Sequence, residues 1–244
     1  MLSKKEIKDI QSLGLKKCRE ETGLFVAEGP KIVAELLTEV PGQVKQLLAV
    51  PEWADRHTQL VKDIPLNVVS PDELQKASGL KTANLVLATV KQFPSREPAA
   101  QNSVCLYLDA IQDPGNFGTI IRIADWFGIK DVVCTEGCAD QYNPKVVQST
   151  MASIARVNVW YDQHHDWLQK QQVPKLAATL GGTSLYQQKP LKEGILLIGN
   201  ESKGLHPSLL QLATHQITIP RLGQAESLNA AVATGIILSH LVVS

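Results

Sequence analysis

The stretch LDAIQDPGNFGTIIRIADWFGI, residues 108–129, decides the fold. An apolar run ends at Asp109, passes through the tight polar loop Asp113-Pro114-Gly115-Asn116-Phe117-Gly118, and opens directly into a helical pattern. Pro114 sets one turn position, Gly115 and Gly118 permit tight backbone, and Asn116 is read as the helix N-cap. Ile120, Ile121, Ala124 and Phe127 recur at helical spacing and leave Arg122 off the core stripe. Arg122 lies six residues beyond Asn116, roughly 9 Å along a helix axis, and long helical side chains lean toward the N-terminus. Its guanidinium can therefore reach back to the loop mouth, where a planar fork of donors suits a phosphate or a carboxylate. A surface ion pair with Asp113 or Asp125 is the competing reading.

The same alternation continues outward in both directions. Downstream come the strand-like DVVCTEG, the helical PKVVQSTMASI, the strands RVNVW, KLAATL and GILLIGN, the short helix PSLLQLA, the strand QITIP, and a closing helix from Glu226. Short strands, apolar on both faces and separated by helices, predict a parallel sheet covered on two sides. Upstream, a basic helix over about 3–18 precedes LFVAEG, PKIVAELLTEV, VKQLLAV, LNVVS, PDELQKAS and LVLATVKQ, again α/β in character. The polar FPSREPAAQNS, residues 93–103, reads as a linker. The predicted organisation is thus a small α/β domain over 1–92 and a parallel-sheet domain over 104–244.

Composition removes several function classes. Lys plus Arg equals Asp plus Glu at 24 each, so any nucleic-acid contact must come from local patches such as Lys16, Lys17 and Arg19. Most such clusters are solvated helix faces, which is the competing reading. Cys18, Cys105, Cys134 and Cys138 form no CxxC pair, and no metal site is expected. Reduced thiols and the lack of an apolar signal core in MLSKKEIKDI place the expectation in the cytoplasm. The apolar run Ala230–Val243 is too short to span a bilayer, so no membrane partner is expected.

In open parallel sheets ligands bind beyond the carboxyl ends of the strands. Three such ends here are polar and rich in glycine: DPGNFG, GNESKG and PRLGQAESLN. No G-x-G occurs, and GNESKG lacks the Lys-Ser/Thr that would follow a phosphate-binding loop, so nucleotide-phosphate cradling is not expected. Glu201 is a candidate acceptor or base, and Ser227 and Asn229 sit at the lip of a nearly all-apolar helix. These residues alone name no reaction.

In order, the three loops resemble the signature motifs of the SpoU family of RNA 2′-O-ribose methyltransferases, within the trefoil-knotted SPOUT class. NFGTIIRIADWFG is similar to the first motif, LLIGNESKGL to the second and ITIPRLGQAESLNAAVA to the third. QSTMASIARVNVW resembles the segment after the first motif, and LKKCREETGLFVAEGPKIVAELL resembles the small substrate-binding domain often attached to these enzymes. The resemblance implies a deep trefoil knot, S-adenosyl-L-methionine as methyl donor, and a homodimer in which the second subunit completes the site. It implies Arg122 as the central catalytic residue, supported by Asn116, Glu201, Ser227 and Asn229. It implies an adenosine pocket from Leu180, Gly181, Gly199, Ile219 and Leu228, and RNA docking through the N-terminal module. Ribosomal RNA is the favoured substrate, with transfer RNA or a non-catalytic, knotted RNA-binding assembly factor as alternatives. Three departures stand out: Ser202 replaces a usual glycine, Leu222 follows Pro220-Arg221 where a methionine is usual nearby, and QSTMAS is a loose version of its segment.

Overall fold

The computed structural model describes residues 2–242; Val243, the last residue of the predicted apolar helix, lies outside them. The chain divides into two units, Met1–Pro94 with Asp140–Ala155, and Ser95–Ala139 with Arg156–Ser244.

In the first unit, α1 (Lys4–Ser12) opens with a capping box. The Ser3 hydroxyl accepts from Glu6 N at 3.2 Å, and the Glu6 carboxylate accepts from Ser3 N at 2.8 Å. The predicted basic helix is in fact two, because the chain turns at Leu13–Leu15 before α2 (Lys16–Thr22). Arg19 explains the break. Its guanidinium donates to the carbonyls of Leu13 at 2.8 Å and Gly14 at 2.9 Å, beyond the end of α1, and pairs with Asp140 at 2.5 Å. Only 2% exposed, Arg19 is a structural residue. Its expected role in RNA contact is therefore corrected.

The unit continues with β1 (Leu24–Glu28), α3 (Pro30–Glu39), β2 (Val44–Ala49), α4 (Pro51–Arg56), β3 (Leu66–Val68), α5 (Pro71–Ala77) and β4 (Val86–Lys91). Their sheet has the order β1-β4-β2-β3, antiparallel except for the β2–β3 pair. Phe25, Leu36, Leu47, Trp53 and Leu87 fill its core. Residues 140–155 join this core: Tyr142 stacks on Phe25 with centroids 4.9 Å apart, and its hydroxyl accepts from Phe93 N at 2.7 Å.

The second unit runs β5 (Val104–Leu108), α6 (Pro114–Trp126) and β6 (Asp131–Thr135). After α7 (Pro144–Thr150), which belongs to the first unit, come β7 (Asn158–Asp162), α8 (Asp166–Lys170), β8 (Lys175–Ser184), β9 (Gly194–Ile198), α9 (Pro207–Leu212), β10 (His215–Thr218) and α10 (Ala230–Leu241). The six strands form one all-parallel sheet in the order β10-β8-β9-β5-β6-β7. The expected parallel sheet is present, and β5, β6 and β9 are buried nearly throughout, as strands covered on both faces must be. Tyr107 on β5 reaches Asp162 of β7 at 3.1 Å and His165 at 2.9 Å. Burial first, and then the Asp162 carboxylate, hold its phenol well above the ordinary range, so it serves as a neutral donor inside the core.

Two helix starts differ from the sequence reading. Asp113, not Asn116, caps α6: its carboxylate accepts from Asn116 N at 2.8 Å, with Pro114 in the first turn. The last helix begins at Ala230 with Asn229 as its cap, four residues later than expected. Both shifts free an asparagine or a loop for the site.

Candidate active site at the ends of β8, β9 and β10

A cavity of about 640 Å³ opens at the carboxyl ends of these strands. Its origin is a break in strand register. Gln216 of β10 pairs with Ala177 of β8, but the next residue, Ile217, pairs with Thr183. The five β8 residues between, 178–182, have no partner on β10 and bow out, so Ala178, Thr179 and Leu180 become one cavity wall. Gly182 closes this bulge against the neighbouring strand. A Cβ there would lie 2.5 Å from the Gln216 carbonyl carbon, so only glycine allows the approach. At the end of β9 a Cβ on Gly199 would collide with the Gly204–Leu205 peptide, which makes the turn over 200–204 equally dependent on glycine.

The remaining wall is apolar, with Ile198, Ile217, Ile219, Leu228, Ala233 and Ile237 among its residues. The Thr179 hydroxyl is buried without a protein partner, and the bulge withholds backbone groups from the sheet ladder. Flat apolar walls edged by unclaimed hydrogen-bonding groups fit an adenosine, whose faces are apolar and whose edge and ribose are polar. The residues present therefore suit S-adenosyl-L-methionine. Of the five expected cofactor residues, Leu180, Gly199, Ile219 and Leu228 line the cavity; Gly181 is exposed within the bulge and is not on the wall.

At the cavity lip, three loops are tied by one directed chain of hydrogen bonds. The Asn229 Oδ1 accepts from the free amides of Ala231 at 3.0 Å and Val232 at 3.2 Å, which fixes its Nδ2 as the outward donor. That Nδ2 donates to Asn116 Oδ1 at 2.8 Å, and Asn116 Nδ2 in turn donates to Glu201 Oε1 at 2.6 Å. Every donor in this chain thus points from the α10 N-terminus toward the Glu201 carboxylate. Asn200 holds the turn that presents Glu201: its Oδ1 accepts from Ser202 N and Lys203 N at 2.9 and 3.1 Å, and its Nδ2 donates to Ala110 O at 2.9 Å. Asp109 braces the far side, accepting from His206 N at 2.7 Å.

Asn116, Glu201 and Asn229 are therefore brought together, and Ser227 lines the same cavity. Arg122 is different. It is exposed on α6 and does not line the cavity. Neither expected surface pair forms, since Asp125 is engaged by Arg156 at 2.7 Å and no hydrogen bond or ion pair ties Arg122 to another described residue. Lys16 and Lys17 are exposed and make loose i,i+4 pairs with Glu20 and Glu21 at 3.7 and 3.9 Å. Among the described residues no cluster of three or more His, Cys, Asp or Glu could hold a metal, and no helix is long and apolar enough to cross a membrane. Thr179, within the strand-like KLAATL, and Asn200, beside Glu201, are site residues that the sequence pattern does not single out.

Comparison with known proteins decides the family. The model of the SpoU rRNA Methylase family matches residues 103–239, and that of the MRM3-like substrate binding domain matches residues 4–88. The chain belongs to the SpoU rRNA methylase family. A Bacillus subtilis 23S rRNA (guanosine(2553)-2′-O)-methyltransferase is 34% identical over 97% of this chain and 95% of its own. Among solved structures, a putative RNA methyltransferase of the TrmH family from Porphyromonas gingivalis superposes with a TM-score of 0.84 at 33% identity, covering 98% of this chain and 97% of that one. An AdoMet-bound rRNA methyltransferase from Sinorhizobium meliloti gives a TM-score of 0.84 at 29% identity, covering 98% and 94%. A tRNA (guanosine(18)-2′-O)-methyltransferase of Aquifex aeolicus matches less of the chain, 27% identical over 57% of it and 68% of its own length. The two family models between them reach both units of the chain.

Proposed function

We propose that this SpoU-family protein transfers a methyl group from S-adenosyl-L-methionine to a ribose 2′-hydroxyl of structured RNA. The observation that carries the reading is the directed chain Asn229–Asn116–Glu201 at the lip of an adenosine-sized apolar cavity. Ribosomal RNA is favoured over transfer RNA, because two relatives matching nearly the whole chain are named for 23S rRNA, whereas a tRNA enzyme matches little more than half.

The bound donor supplies a methyl group on a sulfonium, which passes to the hydroxyl oxygen in an in-line displacement. The chain's residues do the rest. Leu180, Gly199, Ile219 and Leu228 enclose the adenosine, with Gly181 giving the bulge its backbone freedom. Glu201, oriented by Asn116 and Asn229, anchors the reacting ribose and can take up its proton; Ser227 offers a further hydroxyl on the cavity wall. A guanidinium keeps its proton throughout the physiological range and so has no free lone pair with which to take the ribose proton. Arg122 therefore acts as a clamp on the adjoining RNA phosphate and stabilises the developing alkoxide.

Arg122 shares its exposed face of α6 with Trp126, one turn further on and 84% exposed, and α10 exposes Val232. Because α6 and α10 pack together, these two side chains offer apolar surface to a partner beside Arg122. We assign it to a homodimer through α6 and α10, in which Arg122 of one copy completes the site of the other. Lys16 and Lys17 serve RNA docking. The trefoil knot follows from the same family reading, and the cytoplasm as site of action from the four free cysteines. Incubating the protein with methyl-labelled S-adenosyl-L-methionine and separate ribosomal and transfer RNA transcripts tests the substrate class. Label in a 2′-O-methyl nucleoside of ribosomal RNA alone is expected; label in transfer RNA alone would reverse the preference.

A further inference from the structure

We infer that Arg221 forms a subsite for the carboxylate at the amino-acid end of the methyl donor. This rests on the methyl-transfer reading of the cavity and adds a residue to it. Arg221 lines the cavity two residues past Ile219, at the start of the loop that connects β10 to α10. Its Nη1 donates to Ala225 O at 3.2 Å, which anchors the guanidinium to its own loop. It makes no ion pair with a described residue, so its remaining donors are uncommitted.

The chemistry of the donor requires such a group. Adenosine is satisfied by apolar walls and backbone atoms, but the amino-acid arm ends in a carboxylate that those walls cannot solvate. The charged residues lining the cavity are Glu201, Lys203, Arg221 and Glu226. The two glutamates repel a carboxylate. Of the two cations, Lys203 stands on the turn whose backbone amides are held by Asn200, and its ammonium is a hydrated point charge. Arg221 presents a planar fork that matches a carboxylate through two parallel bonds, and its anchor at Ala225 reduces the entropy lost on binding.

Binding to the full chain by isothermal titration separates the possibilities. S-adenosylhomocysteine and 5′-methylthioadenosine share the adenosine and the thioether, and only the first carries the amino-acid arm. Arg221→Met is expected to weaken S-adenosylhomocysteine by about tenfold or more, the size of a lost charge-assisted hydrogen bond, while methylthioadenosine binds as to the wild type. An equal loss for both nucleosides would mean that Arg221 only shapes its loop, and would overturn the subsite. So would an unchanged affinity for both, or a selective loss in Lys203→Met instead. Failure of the wild-type protein to bind either nucleoside would bring down the methyl-transfer reading itself, and the subsite with it.

Discussion

Asn229 does two things with one amide. Its oxygen caps α10 and its nitrogen orients Asn116, which orients Glu201. Two substitutions separate these roles. Asn229→Ala removes both, and is expected to lower stability by about 1 kcal/mol, the usual cost of a lost cap, and to abolish methyl transfer. Asn229→Asp retains a capping oxygen, and so a melting temperature near that of the wild type, but a carboxylate cannot donate to Asn116 Oδ1. Thermal melts should therefore distinguish the two variants while a methyl-transfer assay finds both inactive. An active Asn229→Asp protein would remove the directed chain from the account. The sequence made these residues visible by type and spacing: a Glu, two Asn and a Ser at the ends of apolar strands. It could not show which oxygen each amide faces, because that follows from where α10 begins. The same limit explains Arg19, which counts as a surface cation in the sequence until its carbonyl partners and Asp140 enclose it.

At the scale of elements, the alternation of strands and helices was legible because a parallel sheet buried on both faces leaves long apolar runs. The cavity was not. KLAATLGGTS reads as a strand that stops before the glycines, yet β8 continues to Ser184 and loses its register against β10 at residues 178–182. That break is set by a strand some forty residues away, and no local pattern encodes it. Its dependence on Gly182 gives a direct test. Gly182→Ala forces a methyl against the Gln216 backbone and should cost about 1–3 kcal/mol, as overpacking does. It should also weaken S-adenosylhomocysteine binding, because the bulge is the cavity wall. The neighbouring Gly181→Ala, with nothing within 4 Å of its Cβ, should fold normally. Calorimetry on the two variants, with and without ligand, checks both expectations; equal behaviour would mean that the bulge is not what shapes the pocket.

For the whole molecule, the sequence boundary near residue 93 anticipated two units, but not the return of residues 140–155 to the first. Their helical pattern says that they pack, not upon what; Tyr142 against Phe25 and Asp140 against Arg19 supply the answer. Assembly is the next level. If α6 and α10 join two copies, Trp126→Glu should yield a monomer in light scattering at a concentration where the wild type is dimeric. The variant should also lose activity, because Arg122 of each copy would be parted from the other's cavity. A fully active monomer would place Arg122 in its own subunit's site. Arg122 is the side chain of the expected set that is exposed, off the cavity wall and tied by no hydrogen bond or ion pair to another described residue. The decisive measurement compares the wild type with Arg122→Ala, using methyl-labelled S-adenosyl-L-methionine and unmodified ribosomal RNA, with nucleosides resolved by mass spectrometry. The account predicts a labelled 2′-O-methyl nucleoside for the wild type, and none for the variant, although the variant binds S-adenosylhomocysteine undiminished. Label on a base instead of a ribose, or substantial turnover by Arg122→Ala, would contradict it.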